Sequence, residues 1–105
     1  MLSYGQQRLI ELAMALATEP RVLLLDEPMA GLGPVETERM IELLQGLQSR
    51  YAMLLVEHDM HAVFTLATRV SVLVYGRVLI CDAPEVVRTS DTVREAYLGD
   101  EEISG

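Results

Sequence analysis

At 105 residues, half of them hydrophobic, the chain fits one domain, 1–105, able to bury a core around about two-thirds of its surface. Sixteen acidic side chains against eight basic ones leave a net charge of −8, which excludes nucleic acid as a partner because no basic patch can displace counterions from phosphates. A single cysteine, Cys81, excludes an internal disulfide and reads as a small buried hydrophobe, and no apolar run approaches the ~20 residues that a membrane span needs.

The N-terminus lacks a basic region followed by an apolar one, so no signal peptide is expected. From Ser3 to Ala17, Leu9, Leu12, Ala13 and Leu16 recur at helical spacing, and Pro20 ends the segment. Ser3 and Gln6 have the spacing of a capping box, and Gly5 places no side chain over that first turn. Such a turn can receive an anion at the positive end of the helix, although an ordinary capped helix has the same residues. Val22 to Leu25 is a continuous apolar run suited to a strand buried on both faces. Pro28 to Pro34 is a loop, and Pro34 opens a helix with Met40, Leu43, Leu44 and Leu47 on its apolar face.

Ala52 to Val56 is a second buried strand, and Asp59 caps a helix reaching Ala67 with Val63, Leu66 and Ala67 on one side. Val70 to Tyr75 and Val78 to Asp82 form a hairpin turning at Gly76-Arg77. Pro84 opens a short helix, Thr92 to Leu98 makes another, and Asp100-Glu101-Glu102 reads as a solvated tail. Strands alternating with helices predict an α/β layer structure with a mostly parallel sheet and flanking helices.

Asp26 and Glu27 end the first strand, where such sheets place their ligands. Paired carboxylates suit phosphoryl transfer, one for Mg2+ and one to orient or deprotonate the attacking water; the plain alternative is a strand ended by two solvated acids. His58 follows the second strand, and an imidazole there can be neutral or charged near physiological pH. His61 makes a His-x-x-His pair with it, but neither cysteine nor a third histidine supports zinc, and His61 reads as a surface residue. Ser3 with His58 does not make a serine hydrolase, because the G-x-S-x-G elbow is absent.

Leu2-Ser3-Tyr4-Gly5-Gln6-Gln7, Val22-Leu23-Leu24-Leu25-Asp26-Glu27-Pro28, Ala30-Gly31-Leu32-Gly33 and Leu55-Val56-Glu57-His58-Asp59 follow one another along the chain. In that succession the chain resembles the C-terminal part of an ABC-transporter ATPase subunit, with a signature motif, Walker B strand, D-loop and switch histidine. The resemblance implies a P-loop NTPase core, ATP and Mg2+ as cofactors, and ATP hydrolysis. It assigns Mg2+ to Asp26, the general base to Glu27 and the γ-phosphate contact to His58. Ser3, Gly5 and Gln6 would face ATP held by a second ATPase subunit, with Gly31 also at the nucleotide; Gln6 and Gln7 read as helix and cap residues rather than catalytic ones.

Two positions depart from the family pattern: Tyr4 stands where glycine is usual, and Gly33 where aspartate or asparagine is usual. The further partners implied are membrane permease subunits, and the location is cytoplasmic and peripheral to the inner membrane. The same stretches and the ending Val93-Arg94-Glu95-Ala96-Tyr97-Leu98-Gly99 resemble the ATPases of branched-chain amino acid importers. Urea and amide importer ATPases share much of this pattern. All eight basic residues are arginine, so the lysine-containing Walker A loop is not within this sequence. The chain is therefore expected to be a piece of the family's domain; the alternative is an inactive truncated product that only self-associates. Alone, it should not bind Mg-ATP tightly, because the loop that cradles the phosphates is missing. Isothermal calorimetry checks this, and stoichiometric tight binding would contradict it.

Overall fold

The computed structural model describes residues 1–98; the expectations for Gly99 and for Asp100-Glu101-Glu102 lie outside the described residues. The elements are α1 (Tyr4–Leu16), β1 (Val22–Asp26), α2 (Pro34–Leu47), β2 (Ala52–Val56), α3 (Met60–Leu66), β3 (Val70–Val74), β4 (Arg77–Asp82), α4 (Pro84–Arg88) and α5 (Asp91–Val93), then one π-helical turn, Arg94–Leu98. The chain divides into two units, the first Met1–Leu66 and the second from Ala67 onward.

In the first unit β1 and β2 are parallel neighbours, in register from Val22 opposite Ala52 to Asp26 opposite Val56. Parallel strands need a long crossover, and α2 supplies it. Leu12 of α1, Leu23 of β1, Met29, then Met40, Ile41 and Leu44 of α2, and Ala62 and Leu66 of α3 form the buried core, with Leu25, Met53 and Leu55 partly buried against it. On α2 the buried stripe takes Ile41 rather than the expected Leu43, which is exposed; on α1, Leu9 and Ala13 face solvent while Leu12 is buried.

Side chains of a strand alternate between faces. Leu23 and Leu25 therefore face the core while Val22 and Leu24 face out, and Leu54 and Val56 do the same on β2. The strands expected to be buried on both faces are thus covered on one, and Leu24 and Leu54 are 73% and 59% exposed.

Helix ends follow local chemistry. α1 stops without a glycine, so Glu19 takes the left-handed conformation at φ 55° just before Pro20. Asp59 caps α3, its Oδ1 accepting the Ala62 N–H at 3.1 Å. Pro34 begins α2 as expected.

In the second unit β3 and β4 form an antiparallel hairpin with Val74 opposite Arg77. The turn is Tyr75-Gly76, one residue earlier than the sequence suggests. Both residues have positive φ, 50° and 77°, as a two-residue turn matching strand twist requires, and Arg77 is free to begin β4. A bulge between Val72 and Leu73 adjusts the register. Val70, Val87 of α4 and Val93 of α5 are buried. Cys81 is exposed, contrary to the expectation of burial: Ile80 is half-buried, and alternation turns its neighbour outward. Hydrogen bonds to Ser71, its cross-strand neighbour, and to Arg69 hold the Cys81 thiol below its ordinary pKa.

The Leu43 and Leu44 pair tests the packing of α2. Leu44→Ala is expected to destabilise the protein by about 2–5 kcal/mol, as a core truncation does, and Leu43→Ala by about 1 kcal/mol or less. Urea denaturation followed by circular dichroism measures both, and equal losses would contradict the packing described.

Candidate functional site

Because β1 and β2 are parallel and in register, both end at the same edge of the sheet, and the residues that follow each strand emerge side by side. The Glu27 N–H donates to the Val56 carbonyl at 2.7 Å, one step beyond the last ladder pair. Glu27 itself sits at φ 50°, a left-handed conformation rare for a residue with a Cβ and costing about 1–2 kcal/mol. That kink ends β1, and the Glu27 carbonyl then accepts the Ala30 N–H at 3.0 Å.

Glu27 Oε2 lies 3.3 Å from His58 Nε2, so the structure brings these two predicted residues together. Their side chains are 43% and 74% exposed. A pair so open to water contributes about 1 kcal/mol or less, so it does not fix the geometry of the two loops by itself. Asp26 is exposed at the end of β1, beside Glu27.

Glu57, to which no motif assigns a role, also belongs to this edge of the sheet. Its Oε2 accepts the Met29 N–H at 3.0 Å, and its Oε1 accepts the N–H groups of His58 at 3.1 Å and Asp59 at 3.3 Å. One carboxylate thus serves the loop after β1 and the turn after β2. The signal available in the sequence was an acceptor-only side chain placed where the backbone leaves the ladder.

The other predicted residues gather at the start of α1. The capping box is formed, with Ser3 Oγ accepting the Gln6 N–H at 3.1 Å and Gln6 Oε1 accepting the Ser3 N–H at 3.0 Å. Gly5 makes room for a side chain: a Cβ there would run into the Glu36 carboxylate. Glu36 Oε1 also accepts the Gly33 N–H at 3.4 Å, supplying the cap that Gly33 cannot make with a side chain of its own. Gly31 has φ +81°, and the ring of Tyr4 packs against it. Arg8 Nη2 donates to the Ala30 carbonyl at 3.4 Å. The start of α1 and residues 30–36 therefore form one continuous surface. Glu36 and Arg8 were also missed, because neither belongs to a recognisable motif.

Away from both groups, His61 Nε2 pairs with Glu38 Oε2 at 2.7 Å on the surface. Among the described residues no three His, Cys, Asp or Glu side chains converge on a metal position. One carboxylate fits a Mg2+ whose remaining ligands are water and phosphate oxygens, the usual arrangement for that ion. The concavity at Asp26, lined by Arg8, Leu12, Leu24 and Met40 among others, has a volume of about 180 Å³, below the ~300 Å³ at which ligand pockets begin. No helix among the described residues is long and apolar enough to cross a membrane.

The family model described as ABC transporter matches residues 1–30. The chain is 43% identical over 101 residues to the high-affinity branched-chain amino acid transport ATP-binding protein BraF of Pseudomonas aeruginosa, and 42% identical to LivG of Escherichia coli K12. Each match covers 94% of this chain and 40% of the relative, so the chain spans less than half the length of these proteins. The crystal structure of an ATP-binding cassette of an ABC transporter in its ADP conformation superposes with a TM-score of 0.82 at 27% identity, covering 94% of this chain and 41% of that one. Over the part of the cassette that it spans, the chain is similar in sequence and in α/β fold to the ABC-transporter ATP-binding proteins. Within that class it resembles the ATP-binding proteins of branched-chain amino acid transport.

Gly31 offers a direct test of the surface beside α1. Gly31→Ala forces a Cβ into a left-handed backbone against Tyr4 and is expected to cost about 1–2 kcal/mol. Gly33→Ala, where a Cβ meets nothing within 4 Å, should cost less. Denaturation midpoints of the two variants decide it, and equal values would contradict the left-handed backbone at Gly31.

Proposed function

We propose that the chain works as part of the ATP-hydrolysing subunit of an ABC importer, with branched-chain amino acids as the transported solute. The observation that carries this reading is the Glu27–His58 pair, 3.3 Å apart at the common end of two parallel strands. A sequence related along its length to BraF and LivG surrounds that pair. The solute is inferred from the names of those relatives; fold alone does not identify it.

Glu27 is the general base. Its carboxylate projects from a kinked backbone at the edge of the sheet, open enough for a water to reach it, and accepts the proton of that water as it attacks the terminal phosphate. His58 stands beside the Glu27 carboxylate and offers an N–H donor to the phosphate oxygens. Asp26, exposed at the strand end, is the carboxylate available to Mg2+, which when bound neutralises charge developing on the phosphates. ATP held by a second ATPase subunit meets Ser3, Gly5 and Gln6 at the start of α1, where the helix dipole favours negative charge. Gly31 brings loop backbone to the same surface. Glu36 now lies over Gly5, and that carboxylate must turn aside for an anion to take the place. Membrane permease subunits complete the importer, with the ATPase at the cytoplasmic face of the inner membrane.

The test is steady-state ATP turnover by a complete cassette carrying this sequence. Glu27→Gln keeps the shape of the side chain and removes its basicity, so kcat is expected to fall by about 10²- to 10⁴-fold. ATP binding should persist, because Asp26 is unchanged. Near-normal turnover by the glutamine variant would overturn the assignment of the base.

A further inference from the structure

We propose that Glu57 is a positioning residue of this site: its carboxylate ties the loop after Glu27 to the turn carrying His58 and so sets the distance between those two side chains. The proposal rests on the ATPase reading only for its kinetic consequence; the tie itself is a matter of geometry.

Asp26 opposite Val56 is the last ladder pair, and the Glu27 N–H to the Val56 carbonyl is the last backbone bond between the two chains there. Beyond it the chains part, one into the loop toward Met29 and the other into the turn toward α3. Backbone N–H groups leaving a ladder need new acceptors. Those of Met29, His58 and Asp59 all find theirs on Glu57. A carboxylate suits the task because it only accepts, and its two oxygens have enough lone pairs for three donors. Bonds to an ionised acceptor are also stronger than neutral ones.

Two anchors give the tie something rigid to transmit. Met29 is buried in the core of the first unit, so its backbone is held by packing. Asp59 caps α3, whose Ala62 is fully buried, so the turn is pinned on its other side. Between these anchors stands His58, which is exposed and whose contact with Glu27 is open to water. An exposed pair holds its own geometry weakly. The order at His58 therefore comes from its backbone, and Glu57 accepts its N–H.

Glu57→Gln separates this role from bulk stability. The amide retains one acceptor oxygen and replaces the other by a donor, so one arm of the tie faces a donor with a donor. In the 105-residue chain, hydrogen exchange followed by NMR reads the tie without reference to ATP. The Met29 N–H, or the His58 and Asp59 N–H groups if the amide turns over, should exchange about tenfold faster than in the parent. The β1–β2 amides should be unchanged. Unchanged protection at all three positions would overturn the tie. Glu57→Asp, which keeps the charge and shortens the reach, is the second variant should the first fail to fold, and the same loss of protection is expected of it.

In the complete cassette, the expected kinetic effect of Glu57→Gln is a fall in kcat of up to about 10²-fold with KM for ATP unchanged, as for a small misplacement of reacting groups. The same change made in a His58→Ala background should cost less than about twofold, because a residue that acts through His58 has nothing left to position. Equal fold losses in the two backgrounds would overturn the positioning role. If Glu27→Gln leaves turnover intact, the assignment of Glu27 as the base falls, while the exchange measurement still decides the tie.

Discussion

Everything at this site depends on one parallel register. With Asp26 opposite Val56, the two strands of the first unit end together, and a shift of one residue would turn Leu23, Leu25, Met53 and Leu55 from the core to solvent. Packing against α1, α2 and α3 therefore fixes the register, and the register fixes which residues leave the sheet side by side. Glu27 and His58 come within 3.3 Å because their strands stop at one level, each followed by a tight change of direction. The left-handed turn at Glu27 is held by backbone bonds on both sides of it, from its N–H to Val56 and from Ala30 to its carbonyl. Strain of this kind persists where surrounding structure over-determines it.

The chain is strongly acidic, and the carboxylates near the site do different work. Glu57 and Glu36 are engaged with backbone N–H groups, one beyond the ladder and one at the start of α2. Glu27 shares its charge with His58. Asp26 is exposed at the strand end, the position from which a cation is most easily bound. Small residues play the complementary part at α1, where Gly5 and Gly31 let Glu36 and Tyr4 come close. Tyr4 and Gly33, the two departures from the family pattern, both have local reasons: the ring of Tyr4 covers the bare face of Gly31, and Gly33 is capped by a side chain three residues further on.

Much of this was legible in the sequence, and the residues show why. The capping box, the opening of α2 by Pro34 and the cap by Asp59 are local devices whose partners lie within three residues, so spacing alone reveals them. A parallel sheet followed from strands alternating with helices, and Glu27 and His58 were marked by motifs at the two strand ends. Glu57 was not legible as a tie because its most distant donor, Met29, is 28 residues away, and only the fold brings them together. The stripe on α2 takes Ile41 in place of Leu43, since the two flank the same face and packing chooses between them. Cys81 was misplaced for a related reason. Four apolar residues in a row, Val78 to Cys81, carry no alternation from which to tell the inner face of a strand from the outer.

The same ambiguity explains the exposed face of the first sheet. A strand written for one covered face alternates, whereas Val22-Leu23-Leu24-Leu25 and Met53-Leu54-Leu55-Val56 are apolar throughout, the pattern of strands in α/β proteins with helices on both sides. Helices α1, α2 and α3 meet one of those sides, leaving Leu24 and Leu54 largely in water. Apolar area removed from water stabilises by about 25 cal/mol per Å², so covering the second face would add stability to the same two strands that end together in Asp26 and Val56, next to Glu57. Sheet stability and site geometry are therefore one property of this fold. Whatever firms the β1–β2 register also firms the separation of Glu27 and His58.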